Sequence, residues 1–353
     1  KEELSTRLPR AETDAANARS EASAARAEQA AASRHSSVAL IASVLATRPI
    51  EDSDIPGWRS AVGAVAAQCA AALESAPADA SGMEARWQLA RLKSALGDEE
   101  AALSVLEKLS RDLEAAAIAA AGDFPAEMVR LTGRVESLTG RIMAAAQRTE
   151  DAMPHLRRAS DSFEKWVAAN ASDTESARTF AQNLLLEGRG LTTRGQPDQA
   201  RGALMKIEAL VAKPEEAGFG AEDCFLLADA QFELGRLDAL QISADATAPP
   251  DKEAPPSPFD PAIARYMDGL KLLLDYDNRN KKSLPCRSRM AGAYFEMGRL
   301  LARSANSRDA SVAYGESVKL YTELMREQPE NAAFTLELAT VYNEAAQLIR
   351  TSQ

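Results

Sequence analysis

Small residues recur at matched places along this chain, and that recurrence narrows the folds open to it more than any other feature. Leu89 and Ala90 are followed by Gly97, Ala102 and Leu106. The same intervals lead from Gly188 through Gly195 and Ala200 to Leu204, from Gly140 through Ala152 to Leu156, and from Gly298 through Ala310 to Tyr314. On a helix, a small residue lets a neighbouring helix approach closely, and a large one fills the groove so formed. A pattern reused at intervals means one structural unit stacked repeatedly. At 353 residues, the chain exceeds what one hydrophobic core usually serves, so two or three domains or an elongated array are the natural options.

Helices are expected almost throughout. Ala, Leu, Glu, Arg and Gln dominate, and aromatic residues make up only 5%. These abundant residues are the strong helix formers. No alternating apolar and polar run is flanked by hairpin turn chemistry, so a sheet is not expected.

The pattern resembles the tetratricopeptide repeat (TPR). Its first helix carries large residues at positions 4 and 7 and a small one at 8. A turn with Gly follows near 15, and the second helix carries Ala at 20, a large residue at 24 and a small one near 27. In ARWQLARLKSALGDEEAALSVLEKL, Leu89, Ala90, Gly97, Ala102 and Leu106 occupy positions 7, 8, 15, 20 and 24. Gly188, Leu191, Gly195, Ala200 and Leu204 form another unit, and Tyr294, Met297, Gly298, Ala310, Tyr314 and Ser317 a further one. Gly140, Ala152, Leu156 and Ala159 match positions 8, 20, 24 and 27, and a final half-unit has Leu338, Ala339 and Tyr342 at 7, 8 and 11. In FLLADAQFELGRL, Leu227 and Ala228 are read at positions 7 and 8 with Gly235 as the turn, and Ala262, Tyr266 and Gly269 at 20, 24 and 27. The resemblance implies an all-α, right-handed TPR-like superhelix of antiparallel helix pairs. Spacing departs from the usual repeat of about 34 residues: Gly298 and Ala339 lie 41 apart, and Gly140 and Gly188 lie 48 apart. Longer second helices are therefore expected.

Three regions are distinguished. Residues 1–36 are rich in Ala, Glu and Arg and read as a solvated helical stalk or coiled-coil segment. Residues 37–83 form an N-terminal helix pair, and 84–353 the array. Ser243 to Pro261 (243–261) is an insertion with six prolines, which forbid helix and mark a surface loop. A chain starting at Lys1 reads as a piece of a longer protein, and one ending in a half-unit as truncated or completed by a partner's helix. Segments such as AMPHLRRASDSFEKWVAANASDTESARTFAQNLLLEGRG and ASVAYGESVKLYTELMREQPENAAFTLELATVYNEAAQLI also resemble the arrays that follow the membrane helix of bacterial transmembrane serine/threonine protein kinases. That likeness implies a sensor or docking arm, extracytoplasmic, and tied to a membrane only through a region outside this chain. No Gly-rich loop, HRD-type loop or DFG is present.

Chemistry is hard to find. His35 and His155 stand apart from any ligand cluster, and Cys69, Cys224 and Cys286 show no CxxC spacing, so neither a metal site nor a disulfide framework is expected. No phosphate-binding or nucleophile motif occurs; GRG at 188–190 lies in an expected helix, not after a strand. Glu99 and Glu100 sit where a helix start favours them. The net charge of −11 argues against nucleic acid as a partner. No cofactor and no catalysis are expected. The partner is a protein or peptide, and the alternative role is a structural assembly subunit that self-associates through the stalk or the array ends.

In TPR arrays the first helices line a groove, with positions 2, 5, 9, 12 and 13 inward. Position 9 holds Arg91, Arg141, Arg189 and Arg299, broken by Asp229 and Thr340; position 5 holds Trp87, Phe225 and Phe295. A guanidinium row pairs with carboxylates in two-point contacts, so the resemblance implies an acidic segment as ligand. Intrahelical pairing of the same arginines, as with Glu187 or Glu296, is the competing use. Reversing charge at Arg141 and Arg189 is expected to abolish partner capture in a pulldown; unchanged capture would discard the row.

Overall fold

The computed structural model describes residues 58–74, 79–211, 219–242, 257–280 and 283–351, with single positions at 23, 28, 29, 32 and 36. The stalk, apart from those positions, and residues 243–256 of the Pro-rich insertion lie outside the described residues. Every regular element among the described residues is an α-helix. The chain divides into two compact units, 1–148 and 149–353.

The first unit contains α1 (Trp58–Glu74), α2 (Ala80–Ala95), α3 (Glu99–Ala119) and α4 (Ala126–Ala145). Asp79 begins α2 and Asp98 begins α3, their carboxylates accepting from Gly82 N at 2.7 Å and Ala101 N at 3.3 Å. Such caps satisfy amides that have no helical partner. Between α2 and α3 the chain reverses at Gly97, whose φ of 82° is open to glycine without strain. The helices then close over Met83, Trp87, Leu106, Leu109, Leu113, Leu131 and Val135.

The second unit runs through α5 (Thr149–Ala169), α6 (Thr174–Thr193), α7 (Pro197–Leu210), α8 (Ala221–Gln241), α9 (Asp260–Asn280), α10 (Leu284–Arg303), α11 (Ser307–Glu327) and α12 (Ala332–Thr351). Helices adjacent in sequence pack against one another, and α6 with α8 and α8 with α10 also touch. This is the signature of stacked antiparallel hairpins. The expected length of the second helices holds for α9 and α11, at 21 residues each, but α7 has only 14.

Glycines at position 8 mark close approaches between the two helices of a hairpin. A Cβ on Gly188 would stand 2.8 Å from Leu204, and one on Gly298 2.7 Å from Tyr314. Gly235 behaves identically: a Cβ there would meet Tyr266 at 2.9 Å and the carbonyl of Ala262 at 3.0 Å. Turn residues behave otherwise. Gly97, Gln147, Gly195 and Ala305, all at position 15, adopt positive φ, whereas Gly235 lies inside α8, which continues to Gln241.

The register of this unit is therefore corrected. Gly235 is its position 8 and not its turn, Ala228 is position 1, and Phe225 lies before the repeat rather than at position 5. That place belongs to Phe232, which stacks on Tyr266 at 5.5 Å and closes over Gly269. The physical reason is packing: only this register puts bare backbone beneath the Tyr266 ring.

Replacing Gly298 with Ala should lower stability by about 1–3 kcal/mol, since Tyr314 must move. Gly202→Ala, in α7 with open space around it, should raise it by about 0.5–1 kcal/mol. Thermal unfolding followed by circular dichroism measures both; equal shifts would contradict the close approach.

Candidate functional site

In the second unit, α6, α8, α9 and α10 enclose an open cavity of about 360 Å³. With the corrected register its polar lining comes from equivalent turns of three first helices. Position 9 supplies Arg189, Arg236 and Arg299, positions 2 and 6 of α8 supply Asp229 and Glu233, and position 6 of α10 supplies Glu296. Arg289, near the start of α10, joins them, while Phe232 and Tyr266 form the apolar floor. Burial pushes the Tyr266 phenol far above its ordinary range, so that ring stays neutral.

Most of these arginines are already engaged. Arg189 Nε donates to Glu233 Oε1 at 2.6 Å, from one hairpin to the next. Arg289 pairs with Asp229 at 3.3 Å and lies 4.3 Å from the centre of the Phe225 ring. Arg299 pairs with Glu296 one turn back at 3.2 Å. Burial raises the Asp229 carboxyl above its usual range, opposed by the nearby Arg289 and Arg189. Arg236, exposed at the rim, has no carboxylate partner among the described residues. Glu233 carries the complementary gap: its Oε2 is buried and receives no hydrogen bond.

The expected binding residues are thus dispersed in role. Arg189 and Arg299 line the cavity, each with a carboxylate. Phe225 lies outside it, edge-on to Tyr276 at 5.8 Å beneath Arg289. Phe295 is 8% exposed and packs against Tyr314, so it belongs to its hairpin core. In the first unit Trp87 is 6% exposed, covered by Arg134 at 3.4 Å and Arg91 at 4.7 Å from its ring centre. Arg91 also donates to Gln88 at 3.3 Å, and Arg141 is exposed near the end of α4. Position 5 turns its aromatic side chains into the hairpins because an open face would leave large rings in water.

Arg236 and Glu233 escape a reading by position alone, although a signal is present. FELGR at 232–236 and FEMGR at 295–299 differ at one residue, and aligning them gives the observed register directly. The Leu-Ala pair at 227 and 228 offers a competing match to positions 7 and 8.

Outside the cavity the described residues offer little chemistry. No group of three or more His, Cys, Asp or Glu is placed to hold a metal ion, and no helix is long and apolar enough to cross a membrane. His155 is half-buried, 2.9 Å from Arg158. Cys224 and Cys286 are fully buried, their thiols directed at the carbonyls of Leu272 and Leu273.

No family model matches the chain, and no curated protein matches it. Among solved structures, the apo form of the quorum sensor NprR from B. thuringiensis is similar over 90% of this chain and 82% of its own, at 14% identity and a TM-score of 0.55. YrrB, a TPR protein with an unusual peptide-binding site, is 16% identical over 76% of this chain and 97% of its own, with a TM-score of 0.40. TTC0263, a thermophilic TPR protein of Thermus thermophilus, is 13% identical over 74% of this chain and 98% of its own, at 0.39. The fold is a TPR-like helical repeat. At these identities the likeness concerns the fold alone.

Burial pushes the thiol of Cys224 up to about 11 and that of Cys286 up to about 12. Both are therefore protonated at pH 8, and reactivity needs the thiolate. Labelling by iodoacetamide at pH 8, mapped by peptide mass, should be at least about 100-fold slower at both than for free cysteine, and should recover in urea. Rapid labelling of the folded protein would contradict their burial.

Proposed function

We propose that this chain is a non-enzymatic interaction module that binds an extended segment of a partner protein across α6, α8 and α10. One observation carries the reading: equivalent positions of three successive first helices converge on one open cavity, and its rim holds a cation with no carboxylate partner among the described residues. A volume of about 360 Å³ suits one or two side chains, near the lower end of ligand sites, which run from about 300 to 1,000 Å³. Guanidinium groups favour carboxylates with two-point geometry, so the segment places an acidic side chain on Arg236. Arg189 and Arg299 contribute less, since each must first leave a carboxylate already in contact. Arg91 and Arg141 of the first unit carry equivalent positions, and the same reading gives them a secondary role. The finer assignment, a docking arm of a membrane-anchored serine/threonine kinase, rests on the sequence resemblance alone.

The test is selection from a random-peptide phage library on the full chain. The wild type should enrich sequences containing Asp or Glu. Arg236→Glu should weaken binding of a selected peptide by about tenfold or more, about 1.4 kcal/mol, with unfolding temperature unchanged because the side chain is exposed. Absence of any enriched peptide, or equal affinity for the variant, would overturn the reading.

A further inference from the structure

The two matching pentapeptides around the cavity are wired differently, and the difference specifies a second ligand group. In FEMGR of α10, Glu296 and Arg299 neutralise each other one turn apart. In FELGR of α8, the corresponding Glu233 turns away to Arg189 on α6. That leaves Arg236 without its local carboxylate and Glu233 with one oxygen engaged and the other buried and unpartnered. A buried acceptor with no donor is costly, and an incoming N–H relieves that cost. It is also selective, because an analogue lacking the N–H leaves the oxygen unpaired.

We infer that the bound segment carries a basic side chain, Lys or Arg, whose N–H donates to Glu233 Oε2, one or two residues from the carboxylate that meets Arg236. The inference rests on the groove reading above and changes the ligand from acidic to dipolar. Spacing supports it: Glu233 and Arg236 are separated by a rise of about 4.5 Å along the helix, while an extended segment advances about 3.3 Å per residue. The surroundings support it too. Asp229 lies on the same face one turn before Glu233, so a carboxylate seated at Oε2 would meet two acidic groups. Since Arg289 and Arg189 already pair with these, the unfilled acceptor, and not an excess of negative charge, is what favours a donor there. Arg189 reaches Glu233 through Oε1 and leaves Oε2 without a donor.

Phage selection on three proteins tests this. The wild type should enrich peptides with Lys or Arg one or two residues from Asp or Glu. Glu233→Gln should lose the basic preference and keep the acidic one; Arg236→Gln should do the reverse. On the unaltered protein, replacing Lys of a selected peptide by norleucine should weaken binding about tenfold, and by less than about twofold on Glu233→Gln. The norleucine comparison stands even if Glu233→Gln fails to fold, since its first arm needs no variant. Enrichment of acidic residues alone, a basic preference that survives Glu233→Gln, or indifference to norleucine would overturn the dipolar ligand while leaving the groove reading intact. A library that enriches nothing would overturn both.

Discussion

Bare helix backbone lying beneath a large side chain of the next helix is the contact on which this structure depends. Gly188 beneath Leu204, Gly235 beneath Tyr266 and Gly298 beneath Tyr314 repeat it through the second unit, and Ala90 with Leu106 carries the same positions in the first. Each glycine contact brings two helices closer than a Cβ would permit, so the hairpin becomes a stiff plate that stacks on its neighbours. It also fixes rotation about the helix axis. Once Gly235 faces Tyr266, Asp229 and Glu233 are turned toward α10 and α6, and Arg236 toward the rim, around the floor that Tyr266 and Phe232 make. The cavity is a consequence of that packing.

Polar contacts between hairpins then decide which charges remain for a ligand. Asp223, 1% exposed, receives both Nε and Nη2 of Arg178 at 2.7 and 2.8 Å and also accepts from Gly220 N. Within the α10–α11 hairpin, Arg287, 3% exposed, forks onto Glu327 at 2.8 and 2.6 Å. Arg134 reaches Glu84 across two helices while lying on Trp87. Such buried pairs are weak evidence for stability, because desolvation offsets much of the attraction, but losing one partner strands the other. The Arg178–Asp223 and Arg134–Glu84 pairs act as alignment pegs between plates. A row of arginines in sequence is therefore a poor count of binding groups, since packing has already used most of them.

Some of this was legible in the residues. Helical content, hairpin pairing and the small-over-large contacts of α2 with α3, α6 with α7 and α10 with α11 follow from side-chain size at fixed intervals, a local property. The unit built from α8 and α9 was misaligned for a physical reason. Leu227 and Ala228 imitate the large-small pair of positions 7 and 8, and a glycine inside a helix looks the same in sequence as a glycine that ends one. The match of FELGR to FEMGR favours the register in which Gly235 is internal, and the ring of Tyr266, brought from beyond the insertion, fixes it. Likewise, position 5 aromatics were assigned to a ligand face, yet Phe295 fills its own hairpin, where burying a ring is worth more than presenting it to water.

The sequence alone determined the kind of unit and most of its repeats, because helix propensity and residue size act over one or two turns. Tertiary structure decided the register of α8, the burial of the aromatic residues and the pairing of each arginine. Those depend on which side chains from distant helices arrive at the same place. Whether Glu233 faces Arg236 or Arg189 is settled by a competition between helices, and a linear pattern carries no record of its outcome.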